Sequence, residues 1–309
     1  MPHLIISLVF KEIFSQMILE TFELSKRYGP IVAADGISIS IEKGTAYGLL
    51  GPNGSGKTTT LGIIMSVLKP DSGSFRWFGK DALHGIYKNI GCLLEVPNFL
   101  PYLSLYKNLE LIARIREVDL SSIDRALDET GLLNRRKSRF DTLSLGMKQR
   151  MAIASTLLGN PEVLVLDEPA NGLDPEGIAE VRDLILQQRD NNKTIIMASH
   201  ILDEVEKVCT HVGVLKHGRV VKSGNVEDLL RLDDLIIVGT DEAAELKKLL
   251  EDSGKVKNIT LIGNKLELIP EDGFDSGSIN KLAYEKGIQI TELRVRKSTL
   301  EEQFLELVK

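Results

Sequence analysis

Residues 51–58 read Gly51-Pro52-Asn53-Gly54-Ser55-Gly56-Lys57-Thr58, a complete G-x-x-x-x-G-K-T loop. Before it, Thr45-Ala46-Tyr47-Gly48-Leu49-Leu50 has the composition of a strand. After it, Leu61, Ile64, Met65 and Leu68 recur at helical spacing. Strand, loop and helix together are the context in which this motif builds a phosphate cradle. Gly51, Gly54 and Gly56 let the chain turn tightly and aim successive N–H groups at one anion. The helix N-terminus adds partial positive charge behind them. Lys57 is placed to reach β- and γ-phosphates and the Thr58 hydroxyl to ligate Mg²⁺. Pro52, Asn53, Ser55 and Thr59 complete the candidate nucleotide-binding set. A chance glycine-rich turn would match in roughly one per cent of random chains of this length.

A second decisive stretch is Val163-Leu164-Val165-Leu166-Asp167-Glu168. Its continuous apolar run fits a strand buried on both faces of a parallel sheet. Carboxylates at the C-terminal end of such a strand lie beside the phosphate loop. Asp167 is expected to hold Mg²⁺ through a water, and Glu168 to orient or polarise the attacking water. Thr194–Ala198 is a further apolar run, followed by Ser199-His200.

The 309 residues, 43% hydrophobic, suit one large or two ordinary globular domains. A net charge of −6 argues against a basic nucleic-acid binder. Cys92 and Cys209 lie far apart without metal-ligand spacing and read as structural thiols of a reducing compartment. The most apolar terminal run, Leu4 to Phe10, falls short of the roughly 18 residues that a spanning helix needs. It also lacks the flanks of a signal peptide. Residues 1–16 are expected to be an upstream extension, because a coherent strand pattern opens at Met17.

Strands are expected at Leu19–Leu24, Gly36–Ile41, Thr45–Leu50, Ser74–Trp77 and Asn89–Leu94. Helices are expected at Leu105–Glu117, Ile123–Thr130 and Met147–Leu158, giving a helical subdomain over about 96–160. Val212–Lys216 and Arg219–Lys222 flank His217-Gly218 as a hairpin. Composition shifts near 231–234, dividing a domain over 17–232 from a small one over 233–309. The second carries the order β-α-β-β-α-β, a ferredoxin-like arrangement. Ser298-Thr299-Leu300-Glu301 reads as a capping box ahead of an apolar stripe of Leu300, Phe304, Leu307 and Val308.

Between the two nucleotide motifs lies Leu143-Ser144-Leu145-Gly146-Met147-Lys148-Gln149-Arg150. The series of phosphate loop, helical segment, this octet and acidic strand end resembles the ATP-binding cassette (ABC) family. The resemblance implies an α/β P-loop NTPase fold with a helical subdomain, joined here to a small α+β domain. The family signature is Leu-Ser-Gly-Gly-Gln: Ser144 and Gly146 match it, while Leu145 and Met147 depart. In the family this element grips the γ-phosphate of ATP held by a second cassette. Asn171-Gly172-Leu173-Asp174 resembles the family's loop at the dimer interface, and His200 resembles its switch histidine, which contacts the γ-phosphate and water. Tyr28 resembles the residue that stacks on adenine. Glu95 stands where the family usually has a glutamine that binds Mg²⁺ and opens the permease-contacting segment.

Glu95, the Ser-Leu-Gly-Met signature and the stretch from Leu300 to Leu307 narrow the resemblance to ATPase subunits of bacitracin-resistance and lantibiotic-immunity exporters. This resemblance implies an ATPase with Lys57, Glu168 and His200 as catalytic residues and ATP and Mg²⁺ as cofactors. It also implies a separate transmembrane permease, a second cassette that makes a homodimer, and a place at the inner face of the cell membrane. The permease is expected to dock around Pro97 to Asn108, where Asn98, Phe99, Leu100, Tyr102 and Leu103 form an apolar or aromatic surface. A ribosome-acting cassette protein would carry two cassettes and basic linkers. A DNA-repair or chromosome clamp ATPase would insert long coiled coils between Lys57 and Ser144. A P-loop kinase or GTPase would leave Ser144, Gly146, Asp174 and His200 unexplained.

Overall fold

The computed structural model describes residues 17–81, 86–94, 98–230, 235–271 and 273–296. The chain divides into two compact units, one through Val226 and one from Glu227 onward.

In the first unit an antiparallel sheet is built from β1 (Met17–Tyr28), β2 (Ile31–Ile37) and β3 (Ser40–Glu42). The chain then runs through β4 (Ala46–Leu50) and α1 (Lys57–Ile64) before returning to this sheet as β5 (Ser72–Trp77) and β6 (Lys80–Asp81). The order is β2-β1-β5-β6, with β3 also on β1. The single strand expected over Gly36–Ile41 is two strands here. The break falls at Ser38 and Ile39, while Gly36 remains inside β2 with a left-handed φ of 68°. The Thr21 hydroxyl satisfies the break, donating to the Ile37 carbonyl at 3.1 Å and accepting from the Ile39 N–H at 2.8 Å.

The second sheet collects β4, β7 (Ile90–Leu93), β8 (Val163–Asp167), β9 (Thr194–Ser199), β10 (His211–Lys216) and β11 (Arg219–Asn225). Its order is β11-β10-β4-β9-β8-β7. Every pair from β10 to β7 is parallel, and β11 closes one edge as an antiparallel hairpin partner of β10. Strands β4, β8 and β9 are buried at every position. That is why their sequences are continuous rather than alternating. Between β7 and β8 lie α2 (Leu105–Ile115), α3 (Ser122–Glu129) and α4 (Leu145–Leu157), which pack on one another as the helical subdomain. Next come α5 (Pro175–Asp190) and α6 (Leu202–Val208); the short α7 (Val226–Leu230) begins at the last residue of this unit and belongs otherwise to the second.

One apolar core joins the two sheets: Leu19, Leu24 and Ile37 meet Leu49, Val165 and Ile196 across α1, which contributes Leu61, Ile63 and Ile64. Trp77 is fully buried in it, and its indole N–H donates to the Ile64 carbonyl at 2.8 Å. This bond satisfies one of the carbonyls left open at the end of α1. The helix behind the phosphate loop is thus anchored along its apolar face and at its far end.

The second unit runs β12 (Leu235–Gly239), α8 (Ala243–Ser253), β13 (Val256–Ile262), β14 (Lys265–Pro270), α9 (Ser276–Glu285) and β15 (Glu292–Arg296). The antiparallel order β13-β14-β12-β15 is the ferredoxin-like topology. Ile236 and Val238 pair with Leu268 and Leu266, and Leu246, Leu250, Ile279 and Ala283 from the two helices cover them. Helix α9 starts at Ser276. Asp275 caps it, accepting from the Ser278 N–H at 2.8 Å. The capping box at Ser298 and the apolar stripe beyond it lie outside the described residues, as do residues 1–16.

Candidate functional site

Strand β4 delivers the chain into the phosphate loop at the centre of the parallel sheet, the position at which such sheets bind ligands. Gly56 precedes α1 with φ 107°, and a Cβ there would run into the Ala33 carbonyl on β2. Only glycine fits that backbone and that approach. Two hairpins brace the loop from outside. The Gly218 N–H in the β10–β11 turn donates to the Ser55 carbonyl at 3.0 Å. The Asp35 N–H on β2 donates in turn to the Gly218 carbonyl at 2.8 Å, and Arg219 pairs with Asp35 at 2.7 Å.

Lys57 is only 5% exposed. Its ammonium donates to the Gly51 carbonyl at 2.8 Å and the Pro52 carbonyl at 3.3 Å, and stands 3.3 Å from Glu168 Oε1. Glu168 Oε2 lies 2.7 Å from His200 Nδ1. A carboxylate only accepts, so Nδ1 carries the proton of this bond and Nε2 faces elsewhere. Glu168 itself takes φ 46° without being glycine, a conformation that costs on the order of 1–3 kcal/mol and that surrounding bonds must hold. Two do: its N–H donates to the Ala198 carbonyl at 3.0 Å, and its carbonyl accepts from Asn171 at 3.1 Å. Lys57, Glu168 and His200 therefore form one chain of contacts across the loop, the end of β8 and the end of β9. Asp167, the last residue of β8, is buried and paired in register with Ala198.

The threonines of α1 divide. Thr60 turns inward and donates to the Gly56 carbonyl at 2.8 Å, whereas Thr58 stays exposed at the helix start and Thr59 is half-buried. Pro52, Asn53 and Gly54 are exposed at the loop crest. Among the described residues no group of three or more His, Cys, Asp or Glu could hold a metal. Oxygen donors at Thr58 and Asp167 match the habit of Mg²⁺, which takes one or two protein ligands and completes its shell with phosphates and water.

The other sequence candidates lie apart from this chain of contacts. Ser144 caps α4, its hydroxyl accepting from the Met147 N–H at 3.3 Å, and it is exposed. A Cβ on Gly146 would meet nothing within 4 Å, and Leu145 is 59% exposed. Asp174 caps α5, accepting from the Gly177 N–H at 2.9 Å, with Pro175 at the first helical position. Tyr28 ends β1, 45% exposed, with the Lys26 ammonium 5.8 Å from its ring centroid. Asp71 fastens this end, bonding Lys26 at 2.8 Å and the Arg27 N–H at 2.7 Å. Glu95 lies outside the described residues. Of the expected docking surface, Leu100 and Tyr102 are exposed. Phe99 is buried against Phe140, with ring centroids 4.8 Å apart, and Asn108 is buried where it bonds the Leu100 N–H and carbonyl.

Two further contributors carry no sequence signal beyond their own local motifs. Gln149 Nε2 donates to the Pro169 carbonyl at 2.5 Å, tying the signature helix to the residue after Glu168. The His217-Gly218 turn, expected only as a hairpin, buttresses the phosphate loop.

A family model described as ABC transporter matches residues 34–171. A bacitracin transport ATP-binding protein, BcrA of Enterococcus faecalis, is 33% identical over 95% of this chain and 97% of its own length. The chain belongs to the ABC transporter ATP-binding proteins. As a member of that family it is an ATPase and an ATP-binding subunit. A lantibiotic transport ATP-binding protein, SrtF of Streptococcus pyogenes, is 36% identical over 70% of this chain and 95% of its own length. The solved structure of cbiO1 from Clostridium perfringens, part of an ABC transporter complex, is 30% identical with a TM-score of 0.62, over 76% of this chain and 94% of that one. No described helix is long and apolar enough to cross a membrane.

Proposed function

We propose that this ATPase powers export of a peptide antibiotic or similar drug through a separate membrane permease, as one of two cassettes that sandwich ATP. The observation that carries the cassette mechanism is the Lys57–Glu168–His200 chain at the mouth of the phosphate loop. It places a carboxylate between the Lys57 ammonium and an imidazole. In the reading we propose, the γ-phosphate enters among them. Lys57 leaves Glu168 for the phosphate oxygens. Glu168 then orients the attacking water, and His200 holds the water or the γ-phosphate through its free ring nitrogen. Loop N–H groups and the start of α1 take up charge on the phosphates. Thr58 and Asp167, with Glu95, would hold Mg²⁺, which would neutralise charge developing on the phosphates.

Ser144 and Gly146 stand at an exposed helix N-terminus suited to a phosphate. We assign them to ATP held by the second cassette, with Asp174 at the shared interface and Tyr28 against adenine. Leu100 and Tyr102 remain the candidates for the permease contact, which would bring the subunit to the inner face of the membrane. The export reading rests on the transport functions named for BcrA and SrtF.

The test is the oligomeric state of Glu168→Gln by light scattering. ATP with Mg²⁺ should convert monomer to dimer. A variant that binds ATP and stays monomeric would overturn the sandwich without a permease. The export reading predicts that deleting the chain lowers tolerance to bacitracin or a lantibiotic; unchanged tolerance to both would remove it.

A further inference from the structure

An exposed sheet edge is a row of open N–H and C=O groups, which proteins usually blunt with charge, proline, bulges or cover. Most edge strands of this chain are blunted so. β15 carries Glu292, Arg294 and Arg296, β11 carries Arg219 and Lys222, β6 is Lys80-Asp81, and β2 carries Asp35. The uncharged β7 is four residues long and lies under α4. β13, the other edge of the second unit, differs: among the described residues it pairs with β14 alone. Its register shifts between Val256 and Asn258 and is then unbroken to Ile262. That stretch reads Asn-Ile-Thr-Leu-Ile, without charge or proline. Thr260 is exposed, as are Leu261 at 40% and Ile262 at 56%.

The stretch is also complementary to itself. Residues directly opposite each other in an antiparallel pair share a face. Pairing two copies about Thr260 sets it against the partner's Thr260, Ile259 against the partner's Leu261, and Asn258 against the partner's Ile262. Ile259 and Leu261 stand opposite Leu268 and Leu266 of β14, on the face that α8 and α9 cover. Their pairing would carry that apolar face across the join. Thr260 stands opposite Glu267 on the other face, where a threonine pair is favourable across strands. Lys257, the one charge of β13, falls beyond the paired stretch. A charged partner strand finds no counter-charge along this edge, whereas a second copy brings neither repulsion nor an unpaired charge.

We propose that β13 is a contact between two copies of this chain, joining two four-stranded sheets into one of eight across a two-fold axis at Thr260. Such an isologous contact closes both open edges and stops at a pair. A join of five residues per strand is well below a standard interface in size, so alone it is weak and populated only at high concentration. In a complex that holds two copies within reach of each other it becomes intramolecular, and its weakness no longer limits it. The contact needs neither ATP nor the signature helix, and it stands whether or not two cassettes sandwich nucleotide.

The experiment uses the full chain without nucleotide. Sedimentation over a series reaching about 100 μM should find a reversible dimer, as expected of a contact smaller than the standard size. Thr260→Lys and Thr260→Glu each set like charges across the axis and should weaken that dimer about tenfold or more. Mixing the two variants should restore it, which a misfolded chain could not do. Under mild oxidation Thr260→Cys should give a disulfide-linked dimer, because opposite Cα atoms of an antiparallel pair stand about 4.5–5.5 Å apart, within the span of a disulfide. The parent chain should not cross-link, and neither should Tyr284→Cys, at a site 83% exposed on α9. A parent that stays monomeric throughout the series would overturn the proposal. So would charged variants that dimerise like the parent or gain nothing on mixing, or a Thr260→Cys chain that cross-links no faster than Tyr284→Cys.

Discussion

At the phosphate loop the charged side chains are already engaged, while the buried Ser55 hydroxyl has no hydrogen-bond partner. Lys57 has three oxygen partners, Glu168 is held by both Lys57 and His200, and the loop backbone is braced by two hairpins. At the signature helix, Ser144 has its own cap bond, Gly146 faces open space and Leu145 is exposed. One side has its charges paired within the chain and the other is presented outward. The difference teaches where each side finds its partner. The engaged side must exchange internal bonds for ligand bonds, so binding there is a competition. The exposed side gives up only water, so it can wait for a second molecule without being strained.

The largest effect comes from breaking each side in a different copy. Lys57→Ala disables a phosphate loop and Ser144→Arg blocks a signature. Each alone should be silent in ATP turnover. Mixed, they can form a pair in which an intact loop faces an intact signature, and part of the parental phosphate release should return. No recovery on mixing would mean that the two sides do not meet between chains.

Next is the competition itself. Glu168→Gln should lower turnover by roughly 10²–10⁴, the usual scale for a lost general base or water-orienting group. The same change removes the carboxylate that holds Lys57, so ATP should bind monomeric protein at least as tightly as before. Fluorescent-nucleotide titration with single-turnover phosphate release separates the two. Weaker binding would show that the Lys57–Glu168 contact supports the loop rather than competing with ligand.

Gly56→Ala tests the bracing at smaller scale. It forces alanine into φ 107° and against the Ala33 carbonyl, which should cost about 1–3 kcal/mol or more of stability. Chemical denaturation would measure this, and nucleotide affinity should fall with it. Gly146→Ala, in open space and at a helical position, should leave stability within about 1 kcal/mol.

Much of the closed side is legible in the sequence because backbone geometry dictates it. Gly56 and Lys57 sit at fixed spacing, and Val163–Leu166 announces a strand buried on both faces. The hidden part is long-range or locally ambiguous. Nothing in His217-Gly218 says that its N–H reaches Ser55. Nothing in Gln149 points to Pro169. Ser38-Ile39 sits in a strand-like run, and only the Thr21 hydroxyl bonds to Ile37 and Ile39 show that the strand is divided there. Helix α5 does carry a start signal, since Asp174-Pro175 is an N-cap followed by proline at the first helical position. The likeness of Asn171–Asp174 to an interface loop masks that signal. Phe99 and Asn108 fall on the expected docking surface because an apolar or amide side chain looks the same in sequence whether it faces a partner or its own subdomain.

Thiol chemistry gives the finest comparison of the two sides. Cys92 lies on β7, the strand beside β8, and burial pushes its thiol up to about 12, helped against Arg116 by the nearby charge of Asp167. Burial likewise pushes Cys209 up to about 12. A thiol must ionise to react, so neither should be alkylated by iodoacetamide at pH 8 in the native chain, and both should react in urea. Below the ordinary 9.0 both folded and unfolded thiols are protonated and contribute nothing to the pH dependence of stability. Above it the unfolded thiols ionise first, so stability falls until about 12. A cysteine placed on the open side by Leu145→Cys should instead react at an ordinary exposed rate. Adding ATP and Mg²⁺ to that variant carrying Glu168→Gln should then protect it, because pairing covers the signature. Labelling that ATP leaves unchanged would place Leu145 outside the interface and narrow the trans contact to Ser144 and Gly146.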